Sequence, residues 1–541
     1  MAASAVFIRG FMLKLKWFLY ITEFFSGMAV MAIELGASRL LAPYFSSSQI
    51  VWTIIIGAIM IAMALGNIWG GRLADKNPSP DKLYTRILIV AIWTAAIPLL
   101  GKYVIAGISL LLASFVGSNF LIWASLGSCI ALFVFPLMLL GTVSPSLVKY
   151  SIASLDESGK IVGELNALNT IGSIIGTFAP TFITIPAVGT SWTFLIFAGI
   201  LLLIALTYFA SQHRRLLKCA VSLCLVVVFT IFGAGSSFAF WSEAGSTMDE
   251  DESIYNYLQV TENEHEVKLS TNVLFGIQSI ARKDGRLTGM YYDYALAAPF
   301  MANVTEKEDF RILILGMGSG TYAKQCYEYF DNTHIEGVEI DKKILDLAYS
   351  RFGLPRDERI ECIEFDGRAY LRNAGKYDVI MVDAYRDITI PFQMSSVEFF
   401  KEVKSHLKED GIMTVNLNMR SDKKDSINAY LSDTIASVFP HVYTADCGGN
   451  REVFASMQAD VMPRLEKGYT AYDDSELSYF MEAVKTKLTP YKGGNLILTD
   501  DKAPVEMLGM QVIDELIAEE LKYYKELFEG KSLSEIIDML Q

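Results

Sequence analysis

Three glycines, each separated from the next by one residue, lie in the stretch RILILGMGSGTYAKQ. Gly316, Gly318 and Gly320 have no side chain to keep the backbone away from a ligand, and glycine also permits a sharp turn. A helical pattern follows, and the first N–H groups of a helix are free to bind a ligand. Glu339, 19 residues after Gly320, is spaced like the acid that accepts both ribose hydroxyls in nucleotide-binding folds. This set predicts a nucleoside-binding loop; a glycine-rich turn without a ligand is the alternative.

Two further acidic residues lie at or just beyond the ends of predicted strands later in the chain. Asp366 and Gly367 stand in FDGRAYL, where the acid can accept a hydrogen bond from an adenine amino group, and Asp383 ends the segment YDVIMVD. Open α/β sheets bind ligands at the carboxyl ends of their strands. The spacing G-x-G-x-G, in place of G-x-G-x-x-G, favours an adenosyl sulfonium over a dinucleotide. We predict a pocket for such a ligand, with a loop-capping role as the alternative for each acid.

Five apolar segments are predicted to form the strands that position these residues. Helical lengths separate them, which is typical of a parallel, doubly wound sheet. Before them, short alternating segments and the turn signal KDGR predict a small antiparallel β unit. The five segments span 311–315, 335–340, 360–363, 378–383 and 412–417. The sequence therefore predicts a Rossmann-like α/β domain that follows a small antiparallel β unit.

The first 240 residues have a different character. Of 541 residues, 52% are hydrophobic and the net charge is −14, yet residues 1–240 carry a balance of +7 and the remainder −21. Seven apolar runs are long enough to cross a hydrocarbon core of roughly 30 Å. We expect the first run to be retained, since no small-residue cleavage site follows it. The runs lie near 18–36, 50–70, 87–106, 119–141, 166–186, 191–211 and 217–235.

These patterns divide the chain into four parts. The predicted fold is a multi-pass α-helical membrane domain of about seven spans, then the small antiparallel β unit and the Rossmann-like α/β domain. The parts are a transmembrane helical domain at 1–240, an acidic linker at 241–252, the β unit at 253–294, and the α/β domain with C-terminal helices at 295–541.

Several segments resemble the spermidine synthase (polyamine aminopropyltransferase) family. SIYNYLQV is similar to its S-x-Y-Q strand, LFGIQS to its L-D-G-x-x-Q hairpin, YYD to its Y-H-E, ILILGMGSG to its glycine loop, VEID to its identical motif and YDVIMVDAY to the strand with its catalytic Asp. ELGASRLLAPYF, GELNALNTIGSIIGTF and LTDDKAPVE resemble the multi-pass bacterial members that carry a membrane domain. The resemblance implies a Rossmann-like domain of the S-adenosylmethionine-dependent transferase type. It also implies that decarboxylated S-adenosylmethionine gives an aminopropyl group to putrescine or a similar amine.

The resemblance also implies roles for individual residues. Asp383 would be catalytic and would accept a proton from the attacking amine. Tyr292, Asp293 and Asp387 would bind that amine. The residues implied to bind the nucleoside co-substrate are Asn256, Gln278, Gly316, Gly318, Gly320, Glu339, Asp366 and Gly367. Because the positive charge of a sulfonium already favours its departure, no metal is expected.

The chain departs from the family pattern at several of these places. Where the family has Gln, Asp, His-Glu and Asp, this chain has Asn256, Phe275, Tyr292-Asp293 and Ser319. The acid after Asp383 is also displaced, to Asp387. These departures keep two alternatives open. One is a catalytically altered membrane protein that binds polyamines or couples them to transport; the other is an S-adenosylmethionine-dependent methyltransferase, since the same loop and acid serve that ligand.

The expected partners are a polyamine or other small amine and membrane lipid, with no nucleic acid. The family resemblance also implies a homodimer that pairs through the β unit. Basic residues in alternate loops place the N-terminus in the cytoplasm of a multi-pass cell-membrane protein. Seven spans would then put the soluble part outside. Decarboxylated S-adenosylmethionine is made in the cytosol, which favours the cytoplasmic side, so the side of the soluble part stays open.

Overall fold

The chain folds into two compact units. The structure, a computed structural model, describes residues 2–512 apart from 114, 117–118, 153–157, 213–214, 240–245, 273–275, 386–389, 419–420 and 422, with side chains from residue 16 onward. Of these residues, 2–239 and Glu250–Tyr257 belong to the first unit, and 246–249 with 258–512 belong to the second. The four predicted domain boundaries stay predictions, and the predicted C-terminal helices beyond residue 512 lie outside the described residues.

Long apolar helices make up most of the first unit. Among the described residues, six helical stretches are long and apolar enough to cross a membrane. They are Lys16–Phe45, Gln49–Lys76, Pro80–Ala113, Phe120–Ser151, Ser158–Ser211 and Leu216–Gly233. The predicted spans 166–186 and 191–211 both fall within Ser158–Ser211, where Gly189 leaves the helical conformation with φ of +83°. The predicted number of seven spans is therefore not confirmed.

Small residues allow these helices to approach closely. The helices are α1 Ala2–Phe45, α2 Gln49–Lys76, α3 Pro80–Ala113, α4 Phe120–Cys129, α5 Phe135–Gly141, α6 Val143–Ser151, α7 Ser158–Ala179, α8 Ile185–Ser211 and α9 Leu216–Gly233. A Cβ on Gly172 of α7 would lie 2.0 Å from the carbonyl oxygen of Phe24 in α1, and one on Gly176 would lie 2.1 Å from that of Met28. With no side chain between them, the two backbones pack in direct contact.

A four-stranded antiparallel sheet precedes the α/β domain, as predicted. Its strands are β1 Thr247–Glu252, β2 Tyr257–Glu262, β3 Glu266–Thr271 and β4 Ser279–Arg282, in the order β1-β2-β3-β4. β1 lies within the segment predicted as an acidic linker. Its sequence, TMDEDE, lacks the apolar alternation that marks a strand, yet charged residues are common on an edge strand because they discourage pairing with another chain.

An eight-stranded sheet forms the centre of the α/β domain, and its parallel part confirms the Rossmann-like prediction. Its strands are β5 Phe310–Leu315, β6 Thr333–Glu339, β7 Ile360–Glu364, β8 Tyr377–Val382, β9 Leu407–Leu417, β10 His441–Cys447, β11 Asn450–Ser456 and β12 Thr489–Pro490. The order is β12-β10-β11-β9-β8-β5-β6-β7, in which β9, β8, β5, β6 and β7 run parallel. The strand order reverses between β5 and β8, the place where such sheets bind ligands.

Both faces of this sheet are buried, which explains the nearly continuous apolar strands. Ile312 and Met381 belong to the core on one face, whereas Leu313 and Ile380 belong to the core on the other. The helices of this unit are α10 Tyr291–Ala295, α11 Ala297–Met301, α12 Thr321–Tyr329, α13 Lys342–Ser350, α14 Gly367–Leu371, α15 Val397–His406, α16 Ile427–Ala436, α17 Val461–Thr470 and α18 Ser475–Lys487.

Candidate active site

The glycine loop joins the end of β5 to the start of α12. Gly316, Gly318 and Gly320 have φ of +86°, +56° and +80°, a conformation that other residues disfavour. A Cβ on Gly316 would lie 2.5 Å from Cα of Ala384, and one on Gly318 would lie 2.8 Å from Nε2 of Gln278. The loop therefore needs glycine for its conformation and for its close contacts.

Glu339 is the last residue of β6 and lies beside this loop. Its carboxylate accepts a hydrogen bond from the N–H of Gly318 at 3.0 Å and another from the N–H of Asp341 at 3.0 Å. Burial raises the pKa of the Glu339 carboxyl, and these backbone bonds offset part of the rise. The acid is thus fixed next to the loop, and its predicted contact with a ribose stays a prediction.

Asp383 follows β8 directly, and its own N–H donates to the carbonyl of Leu315 at 2.9 Å. Its carboxylate accepts a hydrogen bond from the hydroxyl of Tyr291 at 2.5 Å and from Nδ2 of Asn416 at 2.9 Å. Burial raises the pKa of Asp383 to about 7; the two hydrogen bonds lower it, and the nearby charge of Glu339 raises it further. A carboxyl group with a pKa near neutrality suits a general base.

Tyr292 packs against Tyr291 and also contacts Gln278. The hydroxyl of Tyr292 donates to the carbonyl of Gln278 at 2.9 Å, and Oγ of Ser279 donates to Oε1 of Gln278 at 2.6 Å. The rings of Tyr291 and Tyr292 lie 4.0 Å apart between centroids. Burial raises the pKa of both phenols, so both remain neutral hydrogen-bond donors.

Asp293 is buried among groups of its own chain. Its carboxylate accepts hydrogen bonds from Oγ1 of Thr288 at 3.1 Å, the N–H of Gly289 at 2.5 Å and Nε2 of Gln325 at 2.6 Å. Burial raises its pKa, and these bonds counteract the rise. The contacts identify Asp293 as the residue that fixes the turn before α10, while its predicted contact with an amine stays untested.

Three further predicted residues make local contacts of their own. Oδ1 of Asp366 accepts the N–H of Ala369 at 2.8 Å and so caps α14. A Cβ on Gly367 would lie 3.4 Å from Cε of Met394, an ordinary contact. Asn256 belongs to the first compact unit, where its N–H donates to Oγ of Ser253 at 2.8 Å. Asp387 and Phe275 lie outside the described residues.

Three neighbouring strands bring together residues that sequence reasoning missed. Asn416 of β9 is the register partner of Glu452 in β11. The parallel pairing of β8 with β9 ends at Val382 and Val415, which places Asp383 next to Asn416. Asp383, Asn416 and Glu452 thus form a row across the sheet. No motif marks Glu452, because only the register of the strands brings it beside the other two.

Comparison with known proteins agrees with this geometry. The family model for the spermine/spermidine synthase domain matches residues 295–446. The protein named "probable polyamine aminopropyl transferase" of Bifidobacterium longum is 46% identical over 356 residues, which covers 62% of this chain and 78% of that protein. The chain belongs to the polyamine aminopropyltransferase family.

Two other comparisons cover shorter parts of this aminopropyltransferase-family chain. An eEF1A lysine and N-terminal methyltransferase of Mus musculus is 33% identical over 144 residues, 24% of this chain and 20% of that protein. The crystal structure of the spermidine synthase from Thermotoga maritima has 19% sequence identity and a TM-score of 0.37. That match covers 44% of this chain and 82% of the other.

The charge of the site suits the cations handled by polyamine aminopropyltransferases. Glu339 and Glu452 are buried and Asp383 is partly buried, and within the described part of the chain their hydrogen-bond partners are neutral groups. A buried carboxylate without a basic partner gains most from a cationic ligand. A sulfonium and an ammonium are both cations, so the residues present fit an adenosyl sulfonium and an amine.

Proposed function

We propose that this chain transfers an aminopropyl group from decarboxylated S-adenosylmethionine to putrescine or a similar short amine. The observation that carries the proposal is the position of Asp383, held by Tyr291 and Asn416 at the strand end beside the glycine loop. The spermidine synthase-type family model and the aminopropyltransferase relative support the same activity.

Each residue of the site has a proposed task. The acceptor ammonium gives one proton to Asp383, and its free nitrogen forms a bond to the methylene beside the sulfonium. The carbon–sulfur bond breaks, and its electron pair stays on sulfur as a neutral thioether. Tyr291 and Asn416 hold the carboxylate towards the amine. The glycine loop, Gln278, Glu339 and Asp366 bind the nucleoside, and Tyr292 lines the amine channel.

Product formation by the purified full chain tests the proposal. In detergent, with decarboxylated S-adenosylmethionine and putrescine, we expect mass spectrometry to detect spermidine. Asp383→Asn keeps the size of the side chain but removes the base, so we expect a loss of about 10²-fold or more in kcat. No product from the wild-type chain, or equal rates in the variant, would contradict the proposal.

A methyltransferase is a second candidate, supported by the murine methyltransferase match. The same nucleoside loop can hold S-adenosylmethionine itself. The test incubates the chain with methyl-labelled S-adenosylmethionine and a lysate. Transfer of label to any component, without spermidine formation in the first assay, would favour this candidate.

A binding or transport-coupled protein is the third candidate, supported by the altered family positions at Asn256 and Ser319 and by the apolar helices. Such a protein would bind a polyamine without converting it. Thermal stabilisation by spermidine or putrescine, with no turnover under the same conditions, would favour it over the transferase.

We also propose that the apolar helices form a multi-pass bundle of seven spans in the cell membrane, with Ser158–Ser211 crossing twice. A single cysteine at an exposed place in the second unit reports its side. Tyr479 is 77% exposed, whereas the native Cys447 is buried. Tyr479→Cys is therefore the better target, in a chain whose six native cysteines are replaced by serine. Labelling in intact cells would place the unit outside; labelling only in inverted vesicles would place it in the cytoplasm.

A further inference from the structure

Glu452 lies on the same face of the sheet as the proposed catalytic base. Its neighbour two residues on, Phe454, belongs to the core that also holds Met381 of β8 and Ile412 of β9. Side chains two apart on a strand share a face, so Glu452, Asn416 and Asp383 all project to this side. α10, with Tyr291, covers the same face, since Tyr291 belongs to that core and contacts Asp383.

Only one of the two carboxyl oxygens of Glu452 has a hydrogen-bond partner among the described residues. The side chain is fully buried, and Oε1 accepts a hydrogen bond from Oγ1 of Thr414 at 2.5 Å. Oε2 is buried and has no hydrogen-bond partner among the described residues. A buried carboxyl oxygen without a partner is costly to a folded protein. An unpartnered oxygen at this position therefore indicates a group that arrives with the ligand.

The charges around Glu452 indicate the kind of ligand. Asp383 is the charged group that acts on it, and the like charge raises the pKa of Glu452 in addition to the larger effect of burial. No Lys, Arg or His of the described residues bonds to either acid. Glu452 is buried and Asp383 is partly buried in the same row. Because neither acid has a basic partner among the described residues, a molecule with two positive charges would neutralise both together.

Asp293, another buried acid of the second unit, differs from Glu452 in one respect. Both of its oxygens already accept hydrogen bonds, from Thr288, Gly289 and Gln325. Glu452, by contrast, keeps one oxygen without a described partner. Of these two acids, Glu452 is the one equipped to receive a further donor.

We propose that Glu452 binds the second ammonium of a linear diamine whose first nitrogen lies at Asp383. The proposal deepens the proposed aminopropyl transfer and rests on it, because it specifies which acceptor the site selects. Adjacent strands lie about 4.8 Å apart, so two strand spacings separate the backbones of the two acids. A short methylene chain can bridge the carboxyl groups, whereas a monoamine of equal length leaves Glu452 unpaired.

The test compares putrescine with n-butylamine, which has the same carbon chain and only one nitrogen. We expect the wild-type chain to prefer putrescine. Glu452→Gln keeps the shape and the oxygen bonded to Thr414 but removes the negative charge. We expect it to raise KM for putrescine by about tenfold or more, to change kcat much less, and to leave KM for n-butylamine unchanged. Glu452→Asp, with the charge one methylene further back, should have an intermediate KM for putrescine.

Asp446→Asn is the matched control. It removes a carboxylate from the neighbouring strand β10, where Asp446 is paired with Arg451 at 2.7 Å. We expect its KM for both amines to equal that of the wild-type chain. Thermal unfolding of each variant establishes that the fold is retained; if Glu452→Gln does not fold, the intermediate KM expected of Glu452→Asp decides.

The outcomes separate this proposal from the proposed function. If the wild-type chain makes spermidine and Glu452→Gln keeps the same KM for putrescine and the same preference, the assignment of Glu452 is wrong while the transferase stands. If the wild-type chain makes no aminopropyl product, the proposed function fails. Calorimetric titration with putrescine then decides: affinity about tenfold weaker in Glu452→Gln supports the site, and equal affinity overturns it.

Discussion

The hydroxyl of Tyr291 donates a hydrogen bond of 2.5 Å to Oδ2 of Asp383. Tyr291 lies in the short helix before the large sheet, and Asp383 lies at the end of its strand β8, 92 positions later. Asn416 holds the other oxygen of the same carboxylate. The proposed base is therefore oriented by two neutral donors from separate parts of the chain, which leaves its negative charge for a substrate.

The pH dependence of turnover follows from this contact. Asp383, with its pKa raised to about 7, must be ionised to accept a proton, so we expect kcat/KM to rise as the pH increases through about 7. The bond from Tyr291 lowers that pKa. Tyr291→Phe should therefore move the rising limb to higher pH and lower kcat by about tenfold or more.

Tyr292→Phe is the matched control for this measurement. Tyr292 is the adjacent residue of the same helix, but its hydroxyl donates to the carbonyl of Gln278. The limb of its pH–rate profile should coincide with that of the wild-type chain. The role of Tyr291 would be contradicted if the rising limb of the pH–rate profile did not shift in Tyr291→Phe. It would also be contradicted if that limb shifted equally in both variants.

The stability of the fold should also depend on Asp383. Because its pKa is raised in the folded state, the protonated form is favoured there, and the stability it contributes is present below about pH 4 and is lost as the pH rises to about 7. Relative to Asp383→Asn, the wild-type chain should lose stability over this range, by an amount on the order of a few kcal/mol. Denaturant unfolding of both proteins at several pH values measures the difference; a constant difference would be inconsistent with a raised pKa.

Gly318→Ala should impair binding of the nucleoside. The new Cβ would lie 2.8 Å from Nε2 of Gln278, so the loop or Gln278 must move. We expect the Kd for the thioether nucleoside product to increase by about tenfold or more. Gly285→Ala is the control, since Gly285 also has positive φ, of +72°, but nothing lies within 4 Å of its added Cβ. Equal effects of the two variants would attribute the loss to backbone strain alone.

Asp293→Asn separates a structural role from an amine-binding role. The carboxylate accepts three hydrogen bonds from its own chain, and an amide cannot accept all of them with both terminal atoms. We expect the free energy of unfolding to fall by about 1–3 kcal/mol, with little change in KM for putrescine. A large rise in that KM without loss of stability would instead support the amine contact implied by the family resemblance.

Gly172→Ala should disturb the helical unit. The added Cβ would lie 2.0 Å from the carbonyl oxygen of Phe24, which is backbone and cannot turn aside. We expect α1 and α7 to separate and the thermal unfolding temperature in detergent to decrease by several degrees. Gly163→Ala in the same helix is the control, since its added Cβ would lie in open space. Similar unfolding temperatures for both variants would show that the close approach is not needed.

The strands of the α/β domain could be predicted because their pattern is local. The predicted segments 311–315, 335–340 and 378–383 agree within two residues with β5, β6 and β8 at every end. Strands buried on both faces read as continuous apolar runs, and their short length separates them from buried helices. The glycine loop and Glu339 were predictable for the same reason, since both directly follow such strands.

The partners of the proposed base could not be predicted in this way. Adjacent residues of a helix point about 100° apart, so only the tertiary structure decides that Tyr291, rather than Tyr292, reaches Asp383. Asn416 and Glu452 meet Asp383 through strand register, which the segments IMTVNLN and NREVFAS do not encode by themselves. Strand β1 was predicted as linker because its acidic residues carry no apolar alternation.

Asp383, Asn416 and Glu452 come from three separate segments of the chain, so different segments supply different parts of the site. The proposed base and the groups proposed to bind the nucleoside lie between Gln278 and Asp383. Asn416 comes from the later strand β9, and Glu452 comes from the still later hairpin of β10 and β11. Replacing that hairpin alone could retarget the enzyme to amines of another length while the donor chemistry is inherited unchanged. Variation among related chains can therefore be sought first in this hairpin, and redesign for new acceptors can begin there.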